Sequence, residues 1–331
     1  MTGDFPYTLL NRNQLISKIN RLASNSQSFV FIIDFKAENG YVVERQNIDI
    51  EYIRTNIFDD NQVKLQSSTN KLIWEIYPIS KAVYQPKFEF IKSEIHKGNS
   101  FLVNLTQPTR IETNLSLEEI YNRSQAKYKL WLRDKFVVLS PESFVKITDG
   151  TISSYPMKGT IDASISNAEK IILNDKKERA EHATIVDLIR NDLSIVADRV
   201  EVKRYRYIDK LTTNKGELLQ VSSEIVGNLP LDYASNLGSI LFSMLPAGSI
   251  CGAPKPKTIQ IIETAEGYER GFYTGVFGYF DGRNLDSAVM IRFIEQQDKE
   301  LIFKSGGGIT SKSDLQSEYD ELIQKVYVPI Y

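Results

Sequence analysis

The chain has 331 residues, of which 42% are apolar, and its formal net charge is −2. This composition supports a large buried core and excludes a disordered chain. The balanced charge gives no electrostatic reason to expect a nucleic-acid partner, and no apolar run is long enough to cross a bilayer. The single cysteine, Cys251, excludes an internal disulfide and suits a reducing compartment. We therefore expect a globular cytoplasmic protein with no nucleic-acid and no membrane partner.

Hydrophobic periodicity predicts helices interleaved with hairpin-like pairs of strands. Helices are predicted at 8–24, 87–97, 117–127, 168–193 (with one break), 231–244, 256–265 and 315–328. Strands are predicted at 29–35, 41–43 (after a hairpin signal at 38–40), 101–106, 128–132, 136–139, 144–148, 151–155, 205–211, 218–226, 275–280, 287–295 and 301–304. Because the chain shows no regular βαβ alternation, this order favours an α+β fold with largely antiparallel sheets.

Lys158 lies in the stretch Tyr155-Pro156-Met157-Lys158-Gly159-Thr160. The proline restricts the backbone before this lysine and the glycine frees it afterwards, so the side chain is held in one place. A solvated lysine in an ordinary turn is the simpler local interpretation. The nearby carboxylate of Glu142, sixteen positions upstream, favours a chemical role instead.

The last predicted helix, residues 315–328, is the most regular amphipathic segment. A capping box that starts at Ser313 predicts its beginning. Glu318, Glu321 and Lys325 share its polar face. A solvated face with an ion pair between Glu321 and Lys325 explains this pattern on local grounds.

Two further segments favour the binding of carboxylates. The glycine run 306–308 follows a strand and precedes the last helix, so we expect a loop whose backbone N–H groups approach an anion. Ser249 lies in a turn-rich segment that leads into another helix N-terminus, although a purely structural turn would look the same. Arg292 interrupts an apolar strand and must find an anion there, either a substrate carboxylate or a structural salt bridge.

A second acidic segment, residues 178–192, is too apolar after residue 180 to be an exposed charged helix. Glutamates from two separate helices supply the hard oxygen ligands that Mg²⁺ prefers. We therefore consider Glu181 with Glu318 or Glu321 as ligands of a Mg²⁺ ion. With two histidines and one cysteine in the chain, a zinc site is not favoured.

Taken in order, these motifs resemble those of the chorismate-utilising enzymes. The match runs from about Phe101 to Lys325. It comprises Ser140-Pro141-Glu142, Pro156-Met157-Lys158-Gly159-Thr160, Arg179-Ala180-Glu181-His182, Ile185-Val186-Asp187-Leu188, Arg190-Asn191-Asp192, Pro246-Ala247-Gly248-Ser249, Gly252-Ala253-Pro254-Lys255, Arg270-Gly271 with Tyr273 and Gly275, Ile291-Arg292, and Gly306-Gly307-Gly308-Ile309 with Glu318 and Glu321.

The resemblance implies the anthranilate-synthase-like fold, in which two large antiparallel sheets pack face to face with helices outside. It also implies a single chorismate-binding domain over residues 1–331. Residues 1–85 would form a shortened N-terminal part, and residues 86–331 would form the catalytic core. The shortened part lacks the glycine-rich strands that usually build a tryptophan pocket, so we expect no regulation by tryptophan.

Site roles also follow from the resemblance. Lys158 would be the nucleophile, with its pKa lowered by burial near Mg²⁺. Glu142 would donate a proton to the leaving hydroxyl. The metal ligands would be Glu181, Glu318 and Glu321. The groups that hold the carboxylates of chorismate would be Arg292, Tyr279, Ser249, Gly306, Gly307, Gly308, Lys325 and Thr160.

Lys158 also discriminates between branches of the family. Anthranilate and isochorismate synthases carry alanine at this position, whereas aminodeoxychorismate synthase component I carries lysine. Leu102 stands where members that activate water carry a lysine base. The resemblance therefore implies Mg²⁺-dependent amination of chorismate at C4, in the synthesis of para-aminobenzoate and folate. No cysteine nucleophile with a paired histidine is evident, so the ammonia would be free or come from a separate glutamine amidotransferase subunit.

Two other interpretations stay open. One is anthranilate synthase component I. The other is a non-catalytic chorismate-binding scaffold subunit, which is suggested by the shortened N-terminal part and by the change at Leu102. The sequence departs from the family pattern at three positions. Leu102 replaces the usual glutamine, Gln220 replaces a common histidine, and Cys251 replaces threonine or serine.

Overall fold

Two antiparallel β-sheets and eight α-helices make up the part of the chain that the computed structural model describes, namely residues 5–58, 72–213 and 216–330. The helices are α1 (Arg12–Ser24), α2 (Lys81–His96), α3 (Leu117–Arg123), α4 (Ala168–Asn174), α5 (Lys176–Ser194), α6 (Leu237–Ser243), α7 (Lys255–Glu266) and α8 (Leu315–Gln324). The strands are β1 (Leu10–Asn11), β2 (Phe29–Ile33), β3 (Asn39–Glu44), β4 (Ile53–Thr55), β5 (Trp74–Tyr77), β6 (Leu102–Thr113), β7 (Tyr128–Leu132), β8 (Phe136–Ser140), β9 (Ser143–Thr148), β10 (Thr151–Ser154), β11 (Met157–Asp162), β12 (Asp198–Thr213), β13 (Gly216–Asn228), β14 (Gly252–Ala253), β15 (Val276–Phe280), β16 (Leu285–Val289), β17 (Phe293–Gln297) and β18 (Glu300–Thr310).

The first sheet has ten strands in the order β1-β3-β2-β15-β16-β9-β10-β13-β11, with β12 also paired to β13. The second sheet has eight strands in the order β14-β6-β18-β17-β8-β7-β4, with β5 also paired to β6. Neighbouring strands in both sheets run antiparallel, as the interleaved hairpins predicted.

The two sheets pack face to face through an apolar layer of alternate strand residues. In β2, Val30 and Ile32 point into this layer, whereas Phe29, Phe31 and Ile33 point to the opposite face and the helices. This division follows the two-residue period of a strand, and all five residues are buried because both faces are covered. The helix-side cluster draws residues from α1, α2, α5, α6, α7 and α8. The predicted two-sheet fold with helices outside is confirmed.

The predicted strand at 287–295 was wrong, because the chain changes sheets in its middle. β16 belongs to the first sheet and β17 to the second, and they are separated by the segment 290–292. Arg292 has φ +50° in this segment, in the left-handed region that a residue with a side chain rarely adopts. The crossing places Arg292 between the two sheets.

The predicted glycine loop was also wrong. Gly306, Gly307 and Gly308 lie within β18, opposite residues 104–106 of β6. Strand β17 pairs only with residues 300–304 of β18. Beyond Lys304, one edge of β18 therefore has no strand partner in the described ranges, although lysine side chains donate to the carbonyls of Gly306 and Thr310.

Two local predictions need smaller corrections. Helix α8 is capped by Asp314, whose side chain accepts from the backbone of residues 316 and 317, and Ser313 instead accepts from the backbone N–H of Thr310. The turn between β2 and β3 lies at 34–38, because the predicted turn residues Asn39 and Gly40 already pair with β1 and β2. Within the described ranges, no helix has the length and apolarity needed to cross a membrane.

Candidate active site

A cavity of about 490 Å³ opens between the second sheet and the segment that carries β11 and α5. Its size is typical of a site for a small organic ligand. Ten of the residues named from the sequence line it together: Glu142, Lys158, Glu181, Ser249, Arg292, Gly306, Gly307, Gly308, Glu321 and Lys325. These residues come from distant parts of the chain and meet only because the two sheets pack together.

Lys158 lies on β11, and its ammonium group forms an ion pair with Glu181 on α5. The Nζ–Oε2 distance is 2.8 Å. Burial lowers the pKa of Lys158, but the charge and hydrogen bond of Glu181, with further charge from Glu321 and Glu178, outweigh burial and raise this pKa. Burial thus acts on the lysine pKa in the expected direction, and the carboxylate that pairs with the amine opposes it.

Glu142 follows β8 and faces the cavity. Burial raises the pKa of this carboxyl, against the opposing effects of a hydrogen bond from Ser249 and the charges of Lys325 and Lys127. The Ser249 hydroxyl donates directly to Glu142 Oε1. A carboxyl with a raised pKa holds a proton closer to neutral pH, which suits a proton donor.

Two cationic side chains of the cavity lining differ in whether a carboxylate neutralises them. Lys325 is paired with Glu321 at 2.6 Å, as the simple amphipathic interpretation of α8 expected, and it also donates to the carbonyl of Gly306 at 2.9 Å. Arg292 makes no ion pair with the described residues, and its guanidinium lies 5.0 Å from the ring centre of Tyr327. Arg292 is thus a cationic group of the cavity lining that no described carboxylate neutralises, and its chemistry suits a carboxylate ligand.

Gly307 marks the place where two predicted metal ligands converge. A Cβ atom added there would lie 3.2 Å from Glu321 Oε1 and 3.3 Å from Glu318 Oε2. The bare glycine therefore leaves a cradle beneath two carboxylates, and these oxygen donors suit Mg²⁺. No three His, Cys, Asp or Glu side chains of the described ranges stand close enough together to hold a metal as they are. The donor set fits Mg²⁺ in chemistry, and two of its members are ion-paired in this structure, Glu181 with Lys158 and Glu321 with Lys325.

The structure does not bring three of the named residues to the cavity lining. Glu318 is buried behind it, beside Gly307. Thr160 lies farther along β11, where its hydroxyl is 3.5 Å from the side-chain nitrogen of Gln220. Tyr279 lies in the layer between the sheets, with its ring centre 4.8 Å from that of Phe58.

Sequence reasoning missed several lining residues. Tyr273, Asn104, Lys304 and Lys312 all line the cavity. Asn104 Oδ1 is buried without a hydrogen-bond partner among the described residues, so a ligand could donate to it. Tyr273 belongs to one of the family motifs, and Asn104 follows Leu102 by two positions on the same predicted strand, which were the available signals. No signal in the sequence pointed to Lys304, because its burial depends on the ion pair that it makes with Glu295 at 2.8 Å.

Leu102 gives part of the cavity an apolar wall. It lies beside Gly308 across the β6–β18 pair, where an added Cβ would come within 2.9 Å of Leu102 Cδ1. The exposed ring of Phe101 continues this wall to the mouth. A leucine offers no group that could take a proton from water.

The chain matches known proteins over nearly its whole length. Residues 18–330 match the model of the chorismate binding enzyme family. An uncharacterised PabA-like protein of Pasteurella multocida is 50% identical, over 97% of this chain and 100% of that protein. Aminodeoxychorismate synthase component 1 of Salmonella typhimurium is 30% identical, over 75% of this chain and 57% of that protein. Anthranilate synthase component 1 of Aquifex aeolicus is 33% identical, over 71% of this chain and 49% of that protein.

Solved structures agree on the fold. The menaquinone-specific isochorismate synthase of Escherichia coli superposes with a TM-score of 0.73, over 96% of this chain and 82% of that one, at 15% sequence identity. The two packed sheets, the lined cavity and the family match together define a class. The chain belongs to the chorismate binding enzyme family.

Proposed function

We propose that this protein is component I of an aminodeoxychorismate synthase. It would replace the C4 hydroxyl of chorismate by an amino group from ammonia, with Mg²⁺, in the cytoplasm and in the synthesis of para-aminobenzoate for folate. The observation that carries this proposal is the presence of Lys158 and Glu142 in one cavity. A lysine nucleophile and a protonated carboxyl are the two groups that the displacement of a poor leaving group requires.

Binding comes first in the proposed reaction. Arg292 would receive one carboxylate of chorismate, and the free backbone edge at Gly306 to Gly308 would receive hydrogen-bonded oxygens. Glu181, with Glu318 or Glu321, would hold Mg²⁺, which when bound polarises and neutralises the ring carboxylate. The apolar wall at Leu102 keeps water from being activated beside the ring.

Covalent chemistry then proceeds in two displacements. Lys158 must first lose its proton and its bond to Glu181, because an ammonium has no lone pair. Its nitrogen attacks C2, the conjugated ring double bonds shift towards C4, and the C4 hydroxyl leaves as water with the proton of Glu142. Ammonia next forms the C4–N bond while the bond between Lys158 and C2 breaks and the double bonds return. Glu142 recovers a proton from the new ammonium, so chorismate and ammonia give 4-amino-4-deoxychorismate and water.

A separate glutamine amidotransferase subunit would supply the ammonia. The relative from Salmonella typhimurium is named component 1, which supports a partner for this chain as well. Purified chain given chorismate, Mg²⁺ and ammonium should therefore work without the partner. The same chain should use glutamine only after the partner is added.

The decisive variant is Lys158→Met. We expect it to bind chorismate but to lose amination by at least about 10³-fold, because removal of a covalent nucleophile stops the reaction. Product chromatography and chorismate binding by calorimetry would measure the two effects. Lys170→Met, at an exposed site on α4, is the matched control and should keep full activity. Unchanged amination by Lys158→Met would refute the covalent role.

Anthranilate synthase component I is the second candidate, favoured by the 33% identity to the Aquifex aeolicus enzyme. Anthranilate formed from chorismate and ammonium by the purified chain alone would establish it and overturn the first proposal. A protein that binds chorismate without forming any product would support a scaffold role.

A further inference from the structure

A second, much smaller cavity lies behind Glu142. It measures about 20 Å³ and shares Glu142, Pro156 and Ser249 with the larger cavity. A space of about this size holds one molecule as large as water. The Ser249 hydroxyl donates to Glu142 Oε1, so this hydrogen bond joins two residues that line both cavities.

The wall of the small cavity offers acceptors in an otherwise mostly apolar surface. Asp192 lines it, with Oδ2 held by Lys255 at 2.7 Å. Lys255 also donates to the carbonyl of Met244 at 2.7 Å, which fixes this side of the wall. Asp192 Oδ1 makes no hydrogen bond within the described ranges, so a bound molecule can donate to it. Glu142 lines the same cavity, so a small molecule rich in N–H or O–H donors is favoured.

We propose that this small cavity is the binding site for ammonia, the second substrate, and that ammonia reaches C4 of chorismate from behind Glu142. The inference rests on the proposed amination. Chorismate would occupy the larger cavity, and a nucleophile held in the small cavity would lie beside Glu142, the carboxyl that works at C4 and lines both cavities. Ammonia has one heavy atom and three N–H donors, which match the volume and the two carboxylates. Water has the same size with fewer donors, and the kinetics below separate the two.

Filling the cavity is the first test. Ala247 lines the small cavity and is not part of the catalytic machinery. We expect Ala247→Val to raise the KM for ammonium by about tenfold, because added methyl groups occupy the site, and to leave the KM for chorismate unchanged. Ala265→Val, a buried alanine of α7 outside both cavities, is the matched control and should change neither value. An unchanged KM for ammonium in Ala247→Val, or an equal rise of both KM values, would show that the cavity holds only water.

Enlarging the cavity is the second test, and it does not depend on Ala247→Val folding well. Ile189 of α5 lines the small cavity, and Ile262 of α7 is buried outside both cavities. The native protein should use ammonium but not methylamine, and Ile189→Ala should accept methylamine as a nucleophile while Ile262→Ala should not. Methylamine use by the native protein, or its absence in a folded Ile189→Ala, would overturn the inference. A native protein that aminates nothing would instead refute the proposed function.

Discussion

The protonation of Glu142 depends on two neighbours at the scale of single residues. Burial raises the pKa of its carboxyl, whereas the Ser249 hydroxyl stabilises the ionised form and holds the pKa down. The same serine lines both the large and the small cavity. One side chain thus affects the proton affinity of the acid and contributes to the wall of both cavities.

We predict that Ser249→Ala moves the pH profile of kcat. The Glu142 pKa should rise further, because the hydrogen bond that favours the carboxylate is lost. A group that must be protonated loses activity as pH rises through its pKa, so the descending limb should shift to higher pH. Rates at saturating chorismate and ammonium across pH would measure the shift. Ser239→Ala, at an exposed position of α6, should leave the profile in place; a shift to lower pH in Ser249→Ala would contradict the assignment.

Gly307 carries the second prediction at this scale. A methyl group there would meet the carboxylates of Glu318 and Glu321 at 3.2 to 3.3 Å, so both must move by a few tenths of an ångström. We expect Gly307→Ala to raise the Mg²⁺ concentration for half-maximal activity by about tenfold, as displaced ligands do. A metal titration of the rate measures this value. Gly308→Ala in the same strand meets Leu102 instead, and equal effects of the two variants on Mg²⁺ would argue against metal ligation by these glutamates.

At the scale of elements, a buried ion pair fastens α7 to β6. Arg270 donates to Glu266 Oε1 at 2.6 Å, and the same oxygen accepts from the backbone and hydroxyl of Thr106 at 2.8 Å. Arg270 also donates to the carbonyls of Ile250 and Asn104, next to the cavity. The pair therefore holds the Ser249 turn in place from behind.

Glu266→Gln should consequently destabilise the fold. Loss of one partner leaves the buried guanidinium uncompensated, which costs about 3 kcal/mol of unfolding free energy. Urea unfolding followed by circular dichroism gives this value. Glu263→Gln on the same helix removes only the 3.1 Å pair with Lys36 at a half-exposed site and should cost about 0.5 kcal/mol or less. Equal losses of unfolding free energy in the two variants would mean that the buried ion pair stabilises the fold no more than the half-exposed pair does.

Local sequence patterns predicted an element well where the pattern within that element determines its structure. The strands at 128–132 and 136–139 match β7 and β8 closely, and the break in the helix at 168–193 falls at Asp175, which caps α5. The predictions failed where pairing with a second element determines the structure of the segment. Nothing local shows that the strand at 287–295 changes sheets, or that the glycine run pairs with β6.

The same limit applies to the site residues. The lysine and carboxylate motifs were recognisable because each is contiguous, and their meeting in one cavity follows from the fold. Tyr279 shows what sequence cannot give. It shares a strand face with Phe277, two residues earlier, and that face turns towards the other sheet. Tyr273, before the strand begins, reaches the cavity instead.

At the scale of the whole molecule, Cys251 reports on global packing, because it is the sole cysteine of the sequence and is fully buried. Burial raises the pKa of its thiol to about 11, so almost no reactive thiolate forms at neutral pH.

We predict that Ellman's reagent leaves the native protein unmodified for minutes at neutral pH and titrates one thiol in urea. The absorbance of the released thiolate, with and without urea, measures the number of thiols that react. Ser311→Cys, at the exposed cavity mouth, should add one thiol that reacts at once. Rapid labelling of Cys251 in the native protein would show that the core around it opens without denaturant.

The unpaired edge of β18 bears on how inhibitors could be resisted. At Gly306 to Gly308 the wall of the cavity is main chain, and a main-chain N–H persists whatever residue other than proline replaces the glycine. An added Cβ would also press on Thr106, on the glutamates or on Leu102, respectively. A chorismate-like inhibitor anchored on this edge therefore leaves the organism few escape mutations, because each substitution that could displace the drug also damages the enzyme's own site.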